Sequence, residues 1–525
     1  MSALDLAAPA SSHPPPPLPL STGEAGLHVF LAFVLLALAV PCFVISTVFG
    51  LAVTFVATLA LCIVLPASAP TLIIVSFMFQ NLVIACFTPL VANDEAFDTI
   101  RGVNFVILVT AYGAFLLASF QTRTRELVEL QPLLRLAIVT LGVICFYFAL
   151  GATHGNPRDA VVYFRNTLTP LACFHVAVVA AGLYPVDLRK TLIWLGAAAV
   201  AYGYCELFFT FDFLSLFNGD LYVERQLARQ VDTGAFERLL RETGYVVLNI
   251  QDMMTTTLFN TPFFKDIFPR IYRIAGPNFH QISYAYALCT ISVWLLFRRN
   301  WILPLLAFPL LVVIGSKGAA AMLAFALLFK ATGRLMPARL ALALVPIGAI
   351  AWIATALFLG VRSGDYHTLG FLSGLHGFAG NPLGHGLGIG GNLSSAFDTV
   401  NWENAQASGA TSTPVESAVG VMLYQMGFGA FLFFGFVAAL AVTCSRLFVR
   451  TGDEVFAFGV IALVVISANA VLQEEAFLSP LALGFVLLLV GVSLGGYWRR
   501  RHLAGPMHRP PDAQSPARHT YLSSR

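Results

Sequence analysis

Residues 361–392 read VRSGDYHTLGFLSGLHGFAGNPLGHGLGIGGN, a polar, glycine-rich stretch that lies between two long apolar runs. The glycines from Gly384 to Gly391 disfavour a helix, because each glycine costs about 1 kcal/mol in a helix interior. Their backbone is free to adopt positive φ and to approach another group closely. The polar stretch continues until the chain re-enters an apolar run at Glu416. We therefore expect residues 361–415 to form a long loop between two membrane helices.

The composition of the whole chain identifies the class of protein to which this loop belongs. Of the 525 residues, 58% are hydrophobic and 11% are charged, and the mean hydropathy is +0.79. Soluble domains carry about 25% charged residues. The formal net charge of +3 is small and spread over many loops, so it does not favour nucleic acid as a partner. The composition predicts an all-α protein, a polytopic integral membrane helical bundle.

Apolar runs long enough to cross a membrane recur along the chain. A spanning helix needs roughly 20 apolar residues. The candidate spans are 27–46, 48–66, 70–90, 103–120, 136–151, 166–184, 191–210, 277–297, 301–316, 318–332, 340–360, 416–444, 454–472 and 478–496. Some of these runs are short for a full span, so we expect about 12 to 14 transmembrane helices.

The two ends of the chain differ from the membrane domain, predicted at residues 27–498. Residues 1–26 contain no Lys or Arg and include a histidine followed by four prolines, which predicts a disordered leader and not a signal peptide. Residues 499–525 begin with three arginines and predict a basic tail. All eight cysteines fall within apolar runs, and no metal-ligand spacing occurs. We expect neither disulfides nor a metal site, and no cofactor.

The cations of the short loops set the predicted orientation, since cytoplasmic loops carry an excess of Lys and Arg. One set of alternate loops carries Arg123, Arg125, Arg135, Arg189, Lys190, Arg298, Arg299, Lys330, Arg334, Arg339, Arg446 and Arg450. The other set carries only Arg101, Arg158, Arg165 and Lys317. We therefore predict that the first set, the leader and the tail are cytoplasmic. The two long loops, 211–276 and 361–415, are then extracytoplasmic.

The first long loop, residues 211–276, has an amphipathic pattern that is broken at Gly234. Such a pattern predicts a surface helix that covers the bundle. The loop is also basic, although an outer loop has no topological reason to be so. An anionic ligand is therefore an alternative interpretation of this loop.

Charged side chains at the edges of membrane spans are costly, so each is a candidate for function. Arg165 begins a span, Arg273 precedes the start of a helix, and Lys317 lies between two short apolar runs. The predicted topology places all three at the outer ends of different helices. Guanidinium and ammonium groups there suit a diphosphate. The alternative is that each contacts a lipid phosphate or a carbonyl group at a helix end.

Polar side chains inside the spans are predicted to hydrogen-bond between helices. These side chains are Gln80, Asn81, His175, Glu206 and Asn469. His280 also lies inside a predicted span, and the sequence assigns no role to it.

Within the second long loop, Arg362, His367 and His385 are candidates for substrate binding. The pattern from Gly386 to Gly391 matches G-x-G-x-x-G, but no strand precedes it, so it is no dinucleotide fingerprint. The backbone N–H groups at Gly386 and Gly388 can instead face an anion or a sugar hydroxyl. Trp402 can stack on a sugar ring, or anchor the loop at the membrane interface.

Glu416 lies where the second long loop re-enters the membrane, at the start of a predicted span. The positive end of a helix dipole favours the ionised form of a carboxylate there. A general base must lie close to the hydroxyl that it deprotonates. Glu416 is therefore the predicted base that activates an acceptor hydroxyl. The alternative is a carboxylate that only stabilises the start of its helix.

Together these residues resemble the O-antigen ligase and polymerase superfamily of bacterial envelope polysaccharide enzymes, and within it the exopolysaccharide polymerases. The similar motifs are Arg165-Asn166 with Pro170, Arg273 through Gly276-Pro277-Asn278, Gly315-Ser316-Lys317-Gly318, His367 with Gly370, Pro382 through Gly388, Glu416-Ser417, and Gln425 through Gly429. The resemblance covers roughly residues 166–439, and the first third of the chain matches only as hydrophobic helices.

The resemblance implies metal-independent glycosyl transfer on the outer face of the bacterial cytoplasmic membrane. The implied donor is an undecaprenyl-diphosphate-linked oligosaccharide, whose diphosphate is held by the basic residues and leaves as the glycosidic bond forms. Membrane lipid and other polysaccharide assembly or export proteins are the implied further partners. Ligases usually have histidine where this chain has Glu416, which favours a polymerase. They also usually have arginine where this chain has Lys317, which weakens bidentate phosphate binding there.

Three other functions are compatible with the sequence. A ligase would move the glycan to a different acceptor and differs here only through Glu416. A transporter or flippase of lipid-linked glycan often has two matching halves with interrupted helices. In this chain both long loops lie in the C-terminal part with no earlier counterpart, which favours the enzyme. A non-catalytic partner in polysaccharide export is the third alternative.

Overall fold

The computed structural model describes residues 22–120, 128–232, 254–257, 267, 270–395, 397, 400 and 402–503. The helices of the first half are α1 Thr22–Ile45, α2 Thr47–Val64, α3 Ala69–Phe87, α4 Asp94–Ile100, α5 Val103–Ser119, α6 Gln131–His154, α7 Pro157–Leu183, α8 Arg189–Ser215 and α9 Gly219–Asp232. Those of the second half are α10 Gln281–Phe297, α11 Ile302–Ile314, α12 Lys317–Thr332, α13 Ala338–Ser363, α14 Tyr366–Gly380, α15 Trp402–Ser408, α16 Ala418–Met426, α17 Ala430–Thr451, α18 Glu454–Asn469, α19 Glu475–Leu478 and α20 Phe485–Leu503. One two-stranded antiparallel ladder pairs β1 Thr255–Thr256 with β2 Ile271–Tyr272.

The predicted all-α membrane fold is confirmed. In the described part of the chain, ten helical segments are long and apolar enough to cross a membrane, and α10, α11 and α18 are shorter apolar helices. Every apolar run predicted to span the membrane overlaps a helix. The chain is therefore a multi-pass membrane protein.

The first and last helices extend into the segments predicted as leader and tail. Helix α1 already begins at Thr22, with Glu24 in its first turn, so the leader predicted for residues 1–26 is wrong for its last residues. Residues 1–21 lie outside the described part. Helix α20 continues to Leu503, and in its last turn Arg501 forms an ion pair with Glu129 at 2.9 Å and lies over the ring of Trp498. The predicted tail is thus helical from residue 499 to 503, and residues 504–525 lie outside the described part.

Helices α7 and α20 form the centre of the bundle. Most residues of both helices are buried. A Cβ atom on Gly495 of α20 would lie only 2.3 Å from the backbone oxygen of Val178 in α7, so the two backbones approach closely. Small residues at such contacts are the usual means by which membrane helices pack. Helices α2 and α13 instead present exposed apolar side chains such as Val56 and Phe358, as a lipid-facing surface requires.

The second long loop is partly helical, which corrects the predicted loop 361–415. Helix α13 ends at Ser363, and the chain continues as α14, which contains four glycines. Gly370, Gly374 and Gly377 lie on one face of α14 and contact the segment around α16. A Cβ atom on Gly374 would lie 2.3 Å from the Cα atom of Gly420. Close packing against α16 therefore outweighs the low intrinsic helix propensity of these glycines.

Glycines also break the predicted span 416–444 into α16 and α17. The 3₁₀ turn Gly427–Gly429 separates the two helices, and Gly427 has φ +50°. The chain at Pro382 crosses at this break, because a Cβ atom on Gly427 would lie 2.1 Å from the Pro382 oxygen. The glycine-rich segment, defined here as residues 381–395, thus inserts into the bundle at a broken helix.

The first long loop carries the predicted amphipathic helix, α9. Tyr222 of α9 is fully buried and packs its ring against Phe97 and Phe279 at centroid distances of 5.1 and 4.7 Å. Arg225 donates a hydrogen bond to the Val91 oxygen at 3.0 Å. Helix α9 therefore covers the bundle, as predicted. The rest of the amphipathic pattern, residues 233–253, lies outside the described part.

Candidate functional site

A cavity of about 460 Å³ opens between α3, α5, α7 and α9 and the turns before α10 and α20. Its charged lining residues are Asp98, Arg101, Arg158, Arg165, Glu474 and Glu475. Asparagine and serine side chains fill much of the remaining wall, among them Asn166, Asn278 and Ser283. A polar cavity of this size inside a membrane bundle is a candidate site for a polar ligand.

The arginines of the cavity differ in their partners. Asp98 forms ion pairs with Arg158 at 2.7 Å and with Arg101 at 3.6 Å. Arg165 donates from Nε to the neutral side chain of Asn166 at 3.2 Å. Among the described residues, no carboxylate lies within ion-pair distance of Arg165. Arg165 therefore brings a positive charge to the cavity that the described protein leaves uncompensated.

The acidic turn, Glu474 and Glu475, forms another part of the cavity wall. Glu474 is 2% exposed and accepts hydrogen bonds from the Tyr163 hydroxyl at 2.6 Å and from the Asn392 N–H at 2.8 Å. Burial raises the pKa of Glu474 to about 8, against the effect of both donors, with the charges of Glu475 and Glu416 adding to the rise. Burial, followed by the charge of Glu416, raises the pKa of Glu475 to about 7.

His280 faces the cavity from the N-cap position of α10. Its Nδ1 accepts a hydrogen bond from the Ser283 N–H at 3.3 Å, which caps the helix. Desolvation by the surrounding protein, and then the charges of Arg273 and Arg101, lower the pKa of His280 to about 4. The imidazole is therefore neutral at neutral pH and adds a polar, uncharged group to the wall.

Glu416 and His367 form an ion pair beside the cavity. The distance from His367 Nδ1 to Glu416 Oε2 is 3.4 Å. Burial acts to lower the pKa of His367, but Glu416 and then Asp365 outweigh it, so that the pKa is raised. Burial acts to raise the pKa of Glu416, but His367 and Asn392 outweigh it, so that the pKa is lowered. Both shifts stabilise the charged forms of the pair.

The backbone at Glu416 is strained and fixed by the glycine-rich segment. Glu416 has φ +62°, a conformation that side chains other than glycine rarely adopt. Its N–H donates to the Asn392 side-chain oxygen at 2.7 Å. The next residue, Ser417, caps α16 by accepting from the Gly420 N–H at 3.0 Å. Such strain persists where the surroundings impose it, and it often marks functional sites.

Arg273 and Lys317, the other two cations predicted at the outer ends of helices, do not line the cavity. Arg273 donates from Nε to the Ile314 oxygen at 2.8 Å, the helix-end contact that was the alternative interpretation of this residue. Its charge still interacts with Glu475, and burial lowers its pKa. Lys317 is exposed at the first residue of α12 and lies near enough to His367 to influence the pKa of that residue.

Five predicted residues are linked to Glu475, three of them directly. Arg165 lines the same cavity as Glu475. Arg273, Glu416 and His367 interact with Glu475 electrostatically. Lys317 joins the group through His367.

Other predicted residues lie elsewhere. Arg362 is exposed and stacks over the Phe358 ring at 4.1 Å. His385 stacks on Tyr424 at a centroid distance of 4.0 Å, and its Nδ1 lies 3.0 Å from the backbone carbonyl oxygen of Tyr424. The side chain of Trp402 lies outside the described part of the chain. Neither Arg362 nor His385 borders the cavity.

Gly386 and Gly388 have a packing role in the structure. A Cβ atom on Gly386 would lie 2.5 Å from the Gly151 nitrogen of α6, and one on Gly388 would lie 2.4 Å from the Ala160 nitrogen of α7. The Gly386 N–H already donates to the backbone carbonyl oxygen of Gln425 at 2.9 Å. The described geometry therefore differs from the predicted contact with substrate, because both glycines meet helix backbones.

Two residues of α7 hold the end of the glycine-rich segment. The Asp159 carboxylate accepts from the N–H and the hydroxyl of Ser395 at 2.9 and 2.7 Å. The Tyr163 hydroxyl accepts from the Leu393 N–H at 3.1 Å and donates to Glu474. The segment is therefore clamped between α7 and the acidic turn.

Sequence reasoning missed the acidic turn and the α7 clamp. Two adjacent carboxylates between the apolar runs 454–472 and 478–496 were the available signal for the acidic turn, since carboxylates between spans are costly. Asp159 and Tyr163 are spaced i, i+4, which places them on one face of α7. Their partners are more than 200 residues away in sequence, so no local pattern reveals the contacts.

Most of the polar residues inside the spans hydrogen-bond between segments, as predicted. Glu206 accepts from the backbone N–H groups of Ala275 and Gly276, each at 2.8 Å, and so holds the turn before α10. The other such contacts join Gln80 to Asn104 and Arg101, Asn81 to Asn278, and Asn469 to Tyr286. His175 lies edge-on against Tyr112 at 5.2 Å.

Comparison of the chain with family models, with curated proteins and with solved structures gives no match in any of the three. Within the described residues, no three His, Cys, Asp or Glu side chains are grouped to hold a metal ion.

Proposed function

We propose that this protein is a glycosyltransferase that polymerises lipid-diphosphate-linked oligosaccharide units. In this proposal it acts on the outer face of a bacterial cytoplasmic membrane and joins undecaprenyl-diphosphate-linked repeat units. The observation that carries the proposal is the cavity inside the membrane bundle, which is lined both by Arg165, without an ion-pair partner among the described residues, and by the carboxylates of the acidic turn. The reaction needs both kinds of group, because an anionic diphosphate leaves while a hydroxyl loses a proton.

The cations divide according to their surroundings. Arg165 lines the cavity and is the first candidate for contact with the diphosphate, since guanidinium groups bind phosphate oxygens bidentately. Lys317 is exposed at the N-terminus of α12, where the helix dipole also favours an anion. Arg273 already holds the end of α11 and would support the site through its charge. Negative charge that develops on the leaving diphosphate would be stabilised by these groups.

The asparagines and serines of the cavity suit a saccharide. Sugar hydroxyls both donate and accept hydrogen bonds, as do the side chains of Asn278 and Ser283. The residue types of the wall thus match the glycan, and the cations match its phosphate anchor. The resemblance to the polymerases described above also implies that basic residues hold the diphosphate, which supports the assignment of the cations to that group.

The test uses the purified protein in proteoliposomes, with a purified undecaprenyl-diphosphate-linked repeat unit as the only substrate. We expect a ladder of longer glycans together with release of undecaprenyl diphosphate. Arg165→Ala should lower the rate by about 10²- to 10³-fold, the usual cost of removing one donor to a developing anion. Arg446→Ala, an exposed arginine at the opposite end of the bundle, is the matched control and should retain the wild-type rate.

Three outcomes would contradict the proposal. Transfer only after a different acceptor is added would identify a ligase. Movement of the intact lipid-linked unit across the bilayer without any longer glycan would identify a transporter. Wild-type protein that does neither under these conditions would leave the assembly partner as the remaining alternative.

A further inference from the structure

The acidic turn places one carboxylate on the cavity that the sequence did not single out. Glu475 begins α19 and lines the cavity together with Arg165 and His280. Its neighbour Glu474 is committed to Tyr163 and Asn392. Glu475 therefore presents the carboxylate of the turn that is not used to clamp the glycine-rich segment.

Glu416 lies in a different position. It does not border the cavity, and its carboxylate is paired with His367 at 3.4 Å. Its N–H is fixed by Asn392. A general base must lie within hydrogen-bond reach of the proton that it takes, or reach it through one water. By this criterion Glu475 is better placed than Glu416 for a substrate that fills the cavity.

We propose that Glu475 is the general base for the acceptor hydroxyl, and that the Glu416–His367 pair is a positioning pair that sets the electrostatic environment of Glu475. This proposal rests on the glycosyl transfer proposed above. It replaces Glu416, the base predicted from the sequence, with a residue on the cavity wall.

The charges around Glu475 support its role. The titratable groups that influence Glu475 are Glu474 in the same turn, Tyr286 of α10, Arg273 before α10, His367 of α14 and Glu416 before α16. The charged or titratable groups that line the same cavity are Asp98, Arg101, Arg158, Arg165 and His280. Burial and Glu416 raise the pKa of Glu475 to about 7, while His367 and Arg273 act to lower it. A base with a pKa near the working pH combines a useful ionised fraction with a strong pull on the proton. The pKa of Glu416 is lowered, which makes that carboxylate a weaker base.

The step balances without a further reactant. The acceptor O–H bond breaks and its proton passes to the Glu475 carboxylate. The acceptor oxygen forms a bond to the anomeric carbon of the donor, and the bond from that carbon to the diphosphate oxygen breaks. The lipid diphosphate leaves with the electron pair, and Glu475 returns its proton to water.

The experiment measures the rate of glycan extension against pH in the proteoliposome assay. The wild-type rate should rise with pH through an apparent pKa of about 7, because the base must be deprotonated. This rise is called the limb of the pH–rate profile. Glu475→Gln should lower the rate by about 10²- to 10⁴-fold, the typical contribution of a general base, and should abolish this limb. Glu95→Gln, an exposed glutamate on the same face of the bundle, is the matched control.

The two members of the ion pair give a sharper test, because their charges act on Glu475 with opposite signs. Glu416→Gln removes a negative charge that raises the pKa of Glu475, but it also removes the group that keeps His367 protonated. The two losses oppose each other, so the limb should move less than in His367→Gln. His367→Gln removes a positive charge that lowers this pKa, so the limb should move to higher pH. Both variants should still extend glycans at pH values above their limbs. A shift to higher pH in His367→Gln, larger than any shift in Glu416→Gln, supports the proposal even if Glu475→Gln does not fold.

The proposal is overturned if Glu475→Gln keeps the wild-type rate, or if Glu416→Gln loses 10²-fold or more at every pH. It is also overturned if His367→Gln does not move the limb to higher pH. These results differ from a failure of the proposed function, which appears as wild-type protein that makes no longer glycan at any pH.

Discussion

The glycine-rich segment and the acidic turn meet at Asn392, yet they contribute in different ways. The segment uses glycines to pass between α6, α7 and the broken helix of α16 and α17, and its backbone groups bond mainly to the protein. The acidic turn brings two carboxylates against a polar cavity. Glycine density therefore indicates close backbone packing here, whereas charge inside the bundle indicates the site.

The largest expected effect concerns the packing of the glycine-rich segment. A Cβ atom on Gly151 would lie 1.9 Å from the Leu387 backbone oxygen. Gly151→Ala should therefore destabilise the protein by about 3 kcal/mol or more, at the upper end of typical overpacking costs. The measurement is thermal unfolding of purified protein, together with its amount in membranes. Gly142→Ala on the same helix meets no atom within 4 Å and should unfold like wild type. Equal stability of the two variants would contradict the packing role.

A smaller effect is expected where the two regions are joined. Tyr163→Phe removes the hydroxyl that donates to Glu474 and accepts from the Leu393 N–H. Leaving such buried groups unpaired costs about 1–3 kcal/mol. Thermal unfolding should detect this loss. Tyr184→Phe is the control, since the Tyr184 hydroxyl makes no hydrogen bond within the described residues. If both variants unfold at the wild-type temperature, the clamp does not stabilise the fold.

The smallest effect is expected for the histidine of the glycine-rich segment. His385→Phe keeps an aromatic ring to stack on Tyr424 and loses only the contact with the Tyr424 oxygen. The rate of glycan extension should stay within about twofold of wild type, as for substitutions away from a site. A loss of 10²-fold in the same proteoliposome assay would show that His385 contributes to the reaction. The contrast between the glycine-rich segment and the acidic turn would then be wrong.

The fold was largely predictable, because apolar runs of sufficient length leave few alternatives to membrane helices. Helix α14 was not predictable, because its glycines are typical of a loop. They are compatible with a helix only because they lie on one face that packs against the segment around α16. In the site, costly charges at span edges led to Arg165 and Arg273, and the ends of the second loop led to Glu416. The contact between Glu416 and His367 joins residues 49 positions apart and depends on how α14 folds back. Tertiary contacts of this kind have no local signature.

The lengths of α10 and α18 determine how deep the site lies in the bilayer. The two helices have 17 and 16 residues, which at 1.5 Å per residue gives about 25 Å. The hydrocarbon layer is about 30 Å thick. Helix α10 ends just before Arg298 and helix α18 begins just after Arg450, on the face where the arginines of the short loops lie. His280 and the acidic turn, at the other ends of these helices, therefore stop several ångströms short of the opposite surface. In the proposed reaction, the lipid carrier would present its phosphates at this depth while its chain stays in the hydrocarbon, and the sugar would descend below the headgroups to react.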